Sequence, residues 1–231
     1  MLILFDIDAT LIRTQGAGML AMGDAGRELF GPEFACDGTS FAGRLDPLIV
    51  DDLLTSHGVA PTNANRAAFR AAYAKHLERR LDEASARQTL PGVLPLLEQL
   101  AQRAHVTLGL LTGNFPETGR AKLEACGVPF KQFAVAAWGD DSPHVPPSRD
   151  HLPPVAMQRY EELRGRRIEA ERVTVIGDTP LDVQCARAHG CRSLGVATGQ
   201  YSPALLLASG AHHAVEDLSN TPKVVGWLLG E

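Results

Sequence analysis

Two aspartates, Asp6 and Asp8, close a short apolar run, Leu2-Ile3-Leu4-Phe5, and a threonine follows at Thr10. Side chains repeat every second residue along an extended chain, so Asp6 and Asp8 point the same way and bring two carboxyl groups into one small volume. Converging carboxylates repel. A divalent cation or a proton retained on one of them relieves the repulsion, and either outcome serves catalysis. Taken alone, the same residues also suit an ordinary turn after an N-terminal strand. Two further stretches share this character. In Val173-Thr174-Val175-Ile176-Gly177-Asp178 a strand-like run ends at a glycine and a third carboxylate follows. The next residues, Thr179-Pro180-Leu181-Asp182, read as a capping box with proline at the first helical position, so Asp182 is either a helix cap or a group that braces a metal ligand from behind. Thr112-Gly113-Asn114 offers a hydroxyl and backbone N–H groups at a helix start, an anion site by geometry and by dipole. Plain capping, with Asn114 as N-cap and Glu117 reaching back, also accounts for it.

These groups need a scaffold. A strand apolar on both faces belongs inside a covered parallel sheet, and open α/β sheets hold ligands at the carboxyl ends of their strands. From Leu90 onward strand and helix patterns alternate: strands at Val106 to Leu111, Phe133 to Ala137, Arg172 to Ile176 and Ser193 to Val196, and helices at Pro116 to Cys126, Asp150 to Arg164 and Pro180 to His189. The expected fold is α/β: a doubly wound, mainly parallel, Rossmann-like sheet built from residues 1–14 and 89–231. Residues 15–88 read as an inserted α-helical bundle. Its expected helices are Gly16 to Phe30, one opened by Asp46 as N-cap with Pro47 behind it, and Asn63 to Arg87. The third repeats Phe69, Tyr73, Leu77 and Leu81 on one face and carries Arg66, Arg70, Lys75, Glu78 and Arg79 on faces read as solvated. Gly16-Ala17-Gly18-Met19-Leu20-Ala21 superficially matches a dinucleotide fingerprint, but it follows no strand directly and is rejected. His212-His213 and Asp140-Asp141 read as loop residues rather than ligands.

At 231 residues, 45% hydrophobic and 21% charged, the chain has the composition of a globular protein with room for one α/β domain and a sizeable insertion. A net charge of -5 and a pI near 5.9 argue against a broad polyanion-binding face, so nucleic acid is not an expected partner. Cys36, Cys126, Cys185 and Cys191 match no zinc spacing and read as free thiols of a reducing cytoplasm. No stretch approaches membrane-spanning length, and a membrane partner is not expected. Oligomeric state is not legible, and a monomer is compatible with the reading.

The order Asp6-x-Asp8-x-Thr10, then Thr112-Gly113-Asn114, then Gly177-Asp178-x-x-x-Asp182, with a helical bundle between the first two, resembles the haloacid dehalogenase superfamily, and within it the phosphoglycolate phosphatase-like branch with a helical cap after the first strand. The resemblance implies Asp6 as the nucleophile that accepts the phosphoryl group, and Asp8 as general acid to the leaving alcohol and then base for water. It implies Mg²⁺ held by Asp6, the backbone carbonyl of Asp8 and Asp178, with Asp182 behind them, and phosphate oxygens on Thr112 and the Gly113 amide. The expected activity is hydrolysis of a small-molecule phosphate monoester, with a phosphomutase or a catalytically idle binding module as alternatives. Dehalogenation is disfavoured, because it has no need of the second aspartate or the metal carboxylate.

The sequence departs from the family pattern in two places. The usual lysine between the second and last motifs is absent; Arg149, in Ser148-Arg149-Asp150, is the best-placed cation, with Lys131 as runner-up. Ala9 stands where glycine is usual, and the local backbone is therefore expected to be right-handed or extended. In the insertion, Phe41-Ala42-Gly43-Arg44-Leu45 forms a loop at one end of the bundle, and Arg44 is the expected contact to an anionic substrate.

Overall fold

A computed structural model of the protein describes residues 1–83 and 87–231. In chain order the described residues form β1 (Leu2–Phe5), β2 (Ile12–Arg13), α1 (Ala17–Phe30), α2 (Asp46–Ser56), α3 (Asn63–Glu83), β3 (Gln88–Thr89), α4 (Val93–Ala101), β4 (Thr107–Leu111), α5 (Pro116–Ala125), β5 (Val135–Ala137), α6 (Leu152–Arg164), β6 (Val173–Gly177), α7 (Pro180–Ala188), β7 (Arg192–Val196), α8 (Pro203–Ala208), β8 (His213–Val215) and α9 (Thr221–Leu229). Six strands form one sheet in the order β5-β4-β1-β6-β7-β8, and every neighbouring pair is parallel. The chain adds β4 and β5 on one side of β1, then crosses to add β6, β7 and β8 on the other. This reversal at β1 is the point where α/β sheets open a crevice for ligands.

The apolar run of β1 is explained by burial on both faces. Ile3 and Phe5 pack under α4 and α9, among Leu96, Leu97, Leu100, Val224 and Leu228, whereas Leu2 and Leu4 pack under α6 and α7, among Leu152, Ala156, Tyr160 and Ala186. The two-stranded antiparallel ribbon of β2 and β3 carries the chain out of the sheet layer and back. Between those strands α1, α2 and α3 bury their own cluster, in which Phe69, Tyr73, Leu77 and Leu81 of α3 meet Met22 of α1 and Ile49, Leu53 and Leu54 of α2. At roughly 1.5–3 kcal/mol for each large apolar side chain fully removed from water, such a cluster holds a small bundle together.

Several local expectations are corrected. Asp46 is the first residue of α2 rather than its N-cap; Leu45 occupies the cap position, and the Asp46 carboxylate turns outward from its own helix. The C-terminal part expected for the third helix includes residues 84–86, which lie outside the described residues. The charged faces of α3 are not merely solvated, since Arg70 bonds Glu117 at 2.5 Å and Asp140 at 2.7 Å and so ties the bundle to the sheet layer. His213 is the first residue of β8 rather than a loop residue. The elements α8, β8 and α9 add to those expected: α8 has six residues and β8 three, all of the latter half-buried, whereas α9 buries Thr221, Val224, Val225 and Leu228 on one face behind an Asn220 cap.

Ala9 has φ 56, in the left-handed region and opposite to expectation. A non-glycine residue there costs about 1–2 kcal/mol. The surrounding loop over-determines the turn: the Ala9 N–H donates to Ile12 O at 2.8 Å, the Leu11 N–H donates to Ile7 O at 2.9 Å, and the Thr198 hydroxyl donates to the Ala9 carbonyl. Loop closure, rather than the residue type at position 9, sets the conformation.

Candidate active site

Register brings the predicted residues together. Phe5 is level with Leu110 of β4 and Ile176 of β6, so Asp6, Thr112 and Asp178 leave three adjacent strands at the same end of the sheet. All three are buried, with Asp6 and Asp178 each 5% exposed and Thr112 fully covered. Carboxylate oxygens of Asp6, Asp178 and Asp182 lie within 4.8 Å of one another. Arg149, in a single 3-10 turn ahead of α6, reaches into this group. Its Nη2 donates to Asp6 Oδ1 at 2.9 Å, to Asp182 Oδ1 at 2.5 Å and to the Leu111 carbonyl at 3.3 Å. Lys131, the alternative cation, is exposed and makes no side-chain hydrogen bond or ion pair with the described residues.

Asp182 is the helix cap that its position suggests and, in addition, a partner of Arg149. Its Oδ2 accepts from the Thr179 N–H at 3.0 Å and Thr179 hydroxyl at 2.7 Å, completing the capping box of α7, while Oδ1 holds Arg149. Gly177 is required by this packing, because a Cβ there would lie 2.1 Å from Asp182 Cγ.

Charge decides what this cluster can bind. Burial, reinforced by the negative charges of Asp182 and Asp6, pushes the Asp178 carboxyl up to about 8. Burial also raises Asp6, with Arg149 opposing the shift. For Arg149 itself burial disfavours the charge, but Asp182 and Asp6 outweigh it and hold the guanidinium protonated. With all three carboxyl groups ionised, one guanidinium leaves two negative charges uncompensated, and without a cation that repulsion is relieved by the proton retained on Asp178. That surplus, presented by oxygen atoms alone, fits a hard divalent cation.

Asp8 sits apart from these three. Its Oδ2 accepts from Asn114 Nδ2 at 2.9 Å and from Lys122 Nζ at 2.8 Å, and Lys122 Nζ also donates to Asn114 Oδ1 at 2.6 Å. Asn114 Nδ2 further donates to the Thr112 hydroxyl oxygen at 2.8 Å. Asn114 is therefore not the cap of α5, and Glu117 turns to Arg70 instead of reaching back. Lys122 was not legible as a site residue. The available signal was its position on α5, where Thr118, Lys122 and Leu123 share the buried face.

The N-terminus of α5 is capped from the helical bundle. Asp46 Oδ2 accepts from the Phe115 N–H at 3.0 Å and from the Thr118 hydroxyl at 3.4 Å, and the Asp46 N–H donates to the Gly113 carbonyl at 2.7 Å. Two residues earlier in the bundle, the Arg44 carbonyl lies so close to Gly113 that a Cβ there would approach it to 1.9 Å. Gly43 O accepts from Arg149 Nη1 at 3.1 Å. The Phe41 to Leu45 loop thus meets the site through its backbone, at Gly113 and Arg149. The Arg44 guanidinium instead bonds Asp52 at 2.5 Å and Ser40 O at 3.2 Å. Between bundle and sheet lies a cavity of about 690 Å³ lined by Asp6, Asp8, Thr112, Lys122, Arg149 and Asp178 on one side. Met19, Phe41, Ile49 and Tyr73 line it from the other.

Burial raises the Asp46 carboxyl to about 6, although Lys122 and the Phe115 N–H work against the shift. Since the folded value lies above the unfolded one, the contribution of Asp46 to stability is complete below about pH 4 and is lost as pH rises through about 6. Asp46→Asn should flatten this dependence: wild type gains up to about 3 kcal/mol relative to the variant on going from pH 7 to pH 4 in chemical denaturation. A difference between the two proteins that does not change with pH would contradict the assignment.

Similarity to known proteins agrees with this architecture. A phosphoglycolate phosphatase from Cereibacter sphaeroides (strain ATCC 17029 / ATH 2.4.9) is 26% identical over 191 residues, covering 82% of each chain. The crystal structure of a hydrolase from Pseudomonas syringae superposes with a TM-score of 0.71 at 21% identity over 97% of each chain. CbbY from Rhodobacter sphaeroides in complex with phosphate gives 0.73 at 21% identity over 94% of each. The haloacid dehalogenase-like hydrolase family model matches residues 3–187, a span that runs from β1 through α7 and takes in all the carboxylates described above, and the chain belongs to that family of enzymes.

Proposed function

We propose that the protein is a phosphatase that hydrolyses a small-molecule phosphate monoester through an aspartyl phosphate on Asp6, with Mg²⁺ as its metal. The observation that carries this reading is the separation of the two N-terminal carboxylates into different environments: Asp6 among buried carboxylates and Arg149, Asp8 on Lys122 and Asn114 beside the cavity. Two carboxyl groups in distinct settings suit two distinct tasks. Asp6 attacks phosphorus, and Asp8 protonates the leaving oxygen and later takes a proton from water. Thr112 and the backbone of Gly113 hold phosphoryl oxygens, a role suited to a hydroxyl and N–H groups ahead of α5. Arg149 orients Asp6 and adds positive charge; its buried Nε has no acceptor among the described residues and is a donor in reserve for an oxygen of the transferred group. Asp6 and Asp178, with the backbone carbonyl of Asp8, would hold the metal, and Asp182 would brace the group from behind. Bound there, Mg²⁺ supplies charge neutralisation for the phosphoryl oxygens. Closure of residues 15–88 over the sheet selects the substrate, with the Phe41 to Leu45 loop beside the reacting group and Arg44 available to an anionic substituent once released from Asp52.

A small organic phosphate of the phosphoglycolate or sugar phosphate class is supported by the phosphoglycolate phosphatase relative and by the size of the cavity. A cytoplasmic setting is supported by the four free cysteines; no described helix is long and apolar enough to cross a membrane. The test is turnover of 4-nitrophenyl phosphate. Release of inorganic phosphate should require Mg²⁺ and cease in excess chelator; undiminished release in chelator would overturn the metal assignment, and no release under any metal would overturn the phosphatase reading.

A further inference from the structure

Lys122 has a partner arrangement that the roles above do not use. It lies on α5, 5% exposed, and the carboxylate of Asp8 is its ion-pair partner among the described residues. Burial alone would favour the neutral amine, but the neighbouring Asp8, Tyr73 and Asp46 outweigh it and keep the ammonium charged. Both Lys122 Nζ and Asn114 Nδ2 donate to the same oxygen of Asp8, Oδ2. Lys122 also fixes the rotation of the Asn114 amide by bonding its Oδ1 at 2.6 Å. Asp8 Oδ1 receives no hydrogen bond from any described residue, and the side chain of Asp8 is 43% exposed where it lines the cavity.

We infer that Lys122 is a positioning residue that locks Asp8 through Oδ2, so that Oδ1 is the atom that gives and takes the proton during phosphoryl transfer. The inference rests on the phosphatase reading. In the first half-reaction a bond forms between an Asp6 oxygen and phosphorus, the bond from phosphorus to the ester oxygen breaks, and that oxygen takes the proton from Asp8 Oδ1. In the second half-reaction a water oxygen bonds to phosphorus and its proton passes to Oδ1, while the Asp6 oxygen departs with its electron pair. Each step needs Oδ1 at one place for two different oxygens. Two donors on Oδ2 hold the carboxylate plane and occupy that oxygen, which leaves Oδ1 free toward the cavity. Without Lys122 the exposed carboxylate rotates and either oxygen meets the leaving group.

A proton donor matters most when the leaving group is a poor one. Activated aryl esters depart without much help, whereas alkyl esters need the proton. The experiment measures kcat/KM of wild type and Lys122→Met on 4-nitrophenyl phosphate and on glycerol phosphate with saturating Mg²⁺, with folding checked by circular dichroism. The expected loss is at least ~10²-fold on glycerol phosphate, at the lower end of what general acid–base catalysis contributes, and less than about tenfold on 4-nitrophenyl phosphate. Lys122→Arg, which keeps a charged donor toward Oδ2, should restore most of the alkyl-ester activity. Equal losses of Lys122→Met on both esters would mean a structural role and overturn the inference, as would wild-type rates on both. Should Lys122→Met fail to fold, Asn114→Ser removes the other donor to Oδ2 and decides in the same way: unequal losses support the inference and equal ones overturn it. A wild-type enzyme idle on both esters would overturn the phosphatase reading itself, and this inference with it.

Discussion

Asp6→Asn is expected to abolish turnover while leaving the protein folded. An amide in place of the carboxylate cannot take up a phosphoryl group as an acyl phosphate, and removing a nucleophile typically costs at least ~10³-fold in kcat. Stability should move the other way. Asp6 is one of three buried carboxylates that share one guanidinium, and its charge helps to push the Asp178 carboxyl upward. Replacing it with a neutral isostere removes repulsion, so metal-free Asp6→Asn should melt at the same temperature as wild type or higher. An inactive variant that is also unfolded would show that Asp6 is structural, and an active one retaining a tenth of the wild-type rate would rule out the covalent route.

The second large effect belongs to Arg149. Its guanidinium neutralises Asp6 and Asp182 and also bonds the carbonyls of Leu111 and Gly43, so one side chain links β1, β4, α7 and the loop ahead of α2. Arg149→Ala leaves Asp182, 2% exposed, without its countercharge. Breaking a buried pair in this way typically costs about 3–5 kcal/mol, read as a lowered midpoint in urea. Activity should fall mainly through kcat, because positive charge beside Asp6 matters most while negative charge is redistributed in transfer. Arg149→Lys separates the two effects. A single ammonium keeps the charge near the carboxylates but cannot serve four acceptors, so stability should be partly restored and kcat less so. Lys131→Ala should match wild type on both measures; a crippled Lys131→Ala beside an unaffected Arg149→Ala would reverse the assignment.

Much of the fold was legible because its signals are local. The apolar run Leu2 to Phe5 reads as a strand covered on both faces, and strand ends marked by Asp6, Thr112 and Asp178 imply a shared rim once the sheet is parallel. Proline at the first turn and the Thr179 to Asp182 box fixed the start of α7. What escaped the sequence was set by partners distant along the chain. Asp46 looks like the cap of its own helix but caps α5, whose first N–H groups lie 69 residues away. Lys122 looks like any helical lysine until α5 is packed against Asp8 and α3. Arg44 has the right residue type beside the site, yet Asp52 is within reach of its guanidinium and captures it. At Ala9 the steric preference of the residue points one way and the loop hydrogen bonds point the other, and the loop prevails.

The central claim is that the phosphoryl group passes through Asp6. It is tested most directly by quenching the enzyme during turnover of a phosphate monoester with Mg²⁺ and reducing it with borohydride, which converts an aspartyl phosphate to homoserine. Peptide mass spectrometry should find homoserine at position 6, only when substrate was present, and none in Asp6→Asn treated alike. Homoserine at position 8 or 178, or an unmodified Asp6 in enzyme caught in steady turnover, would contradict the account.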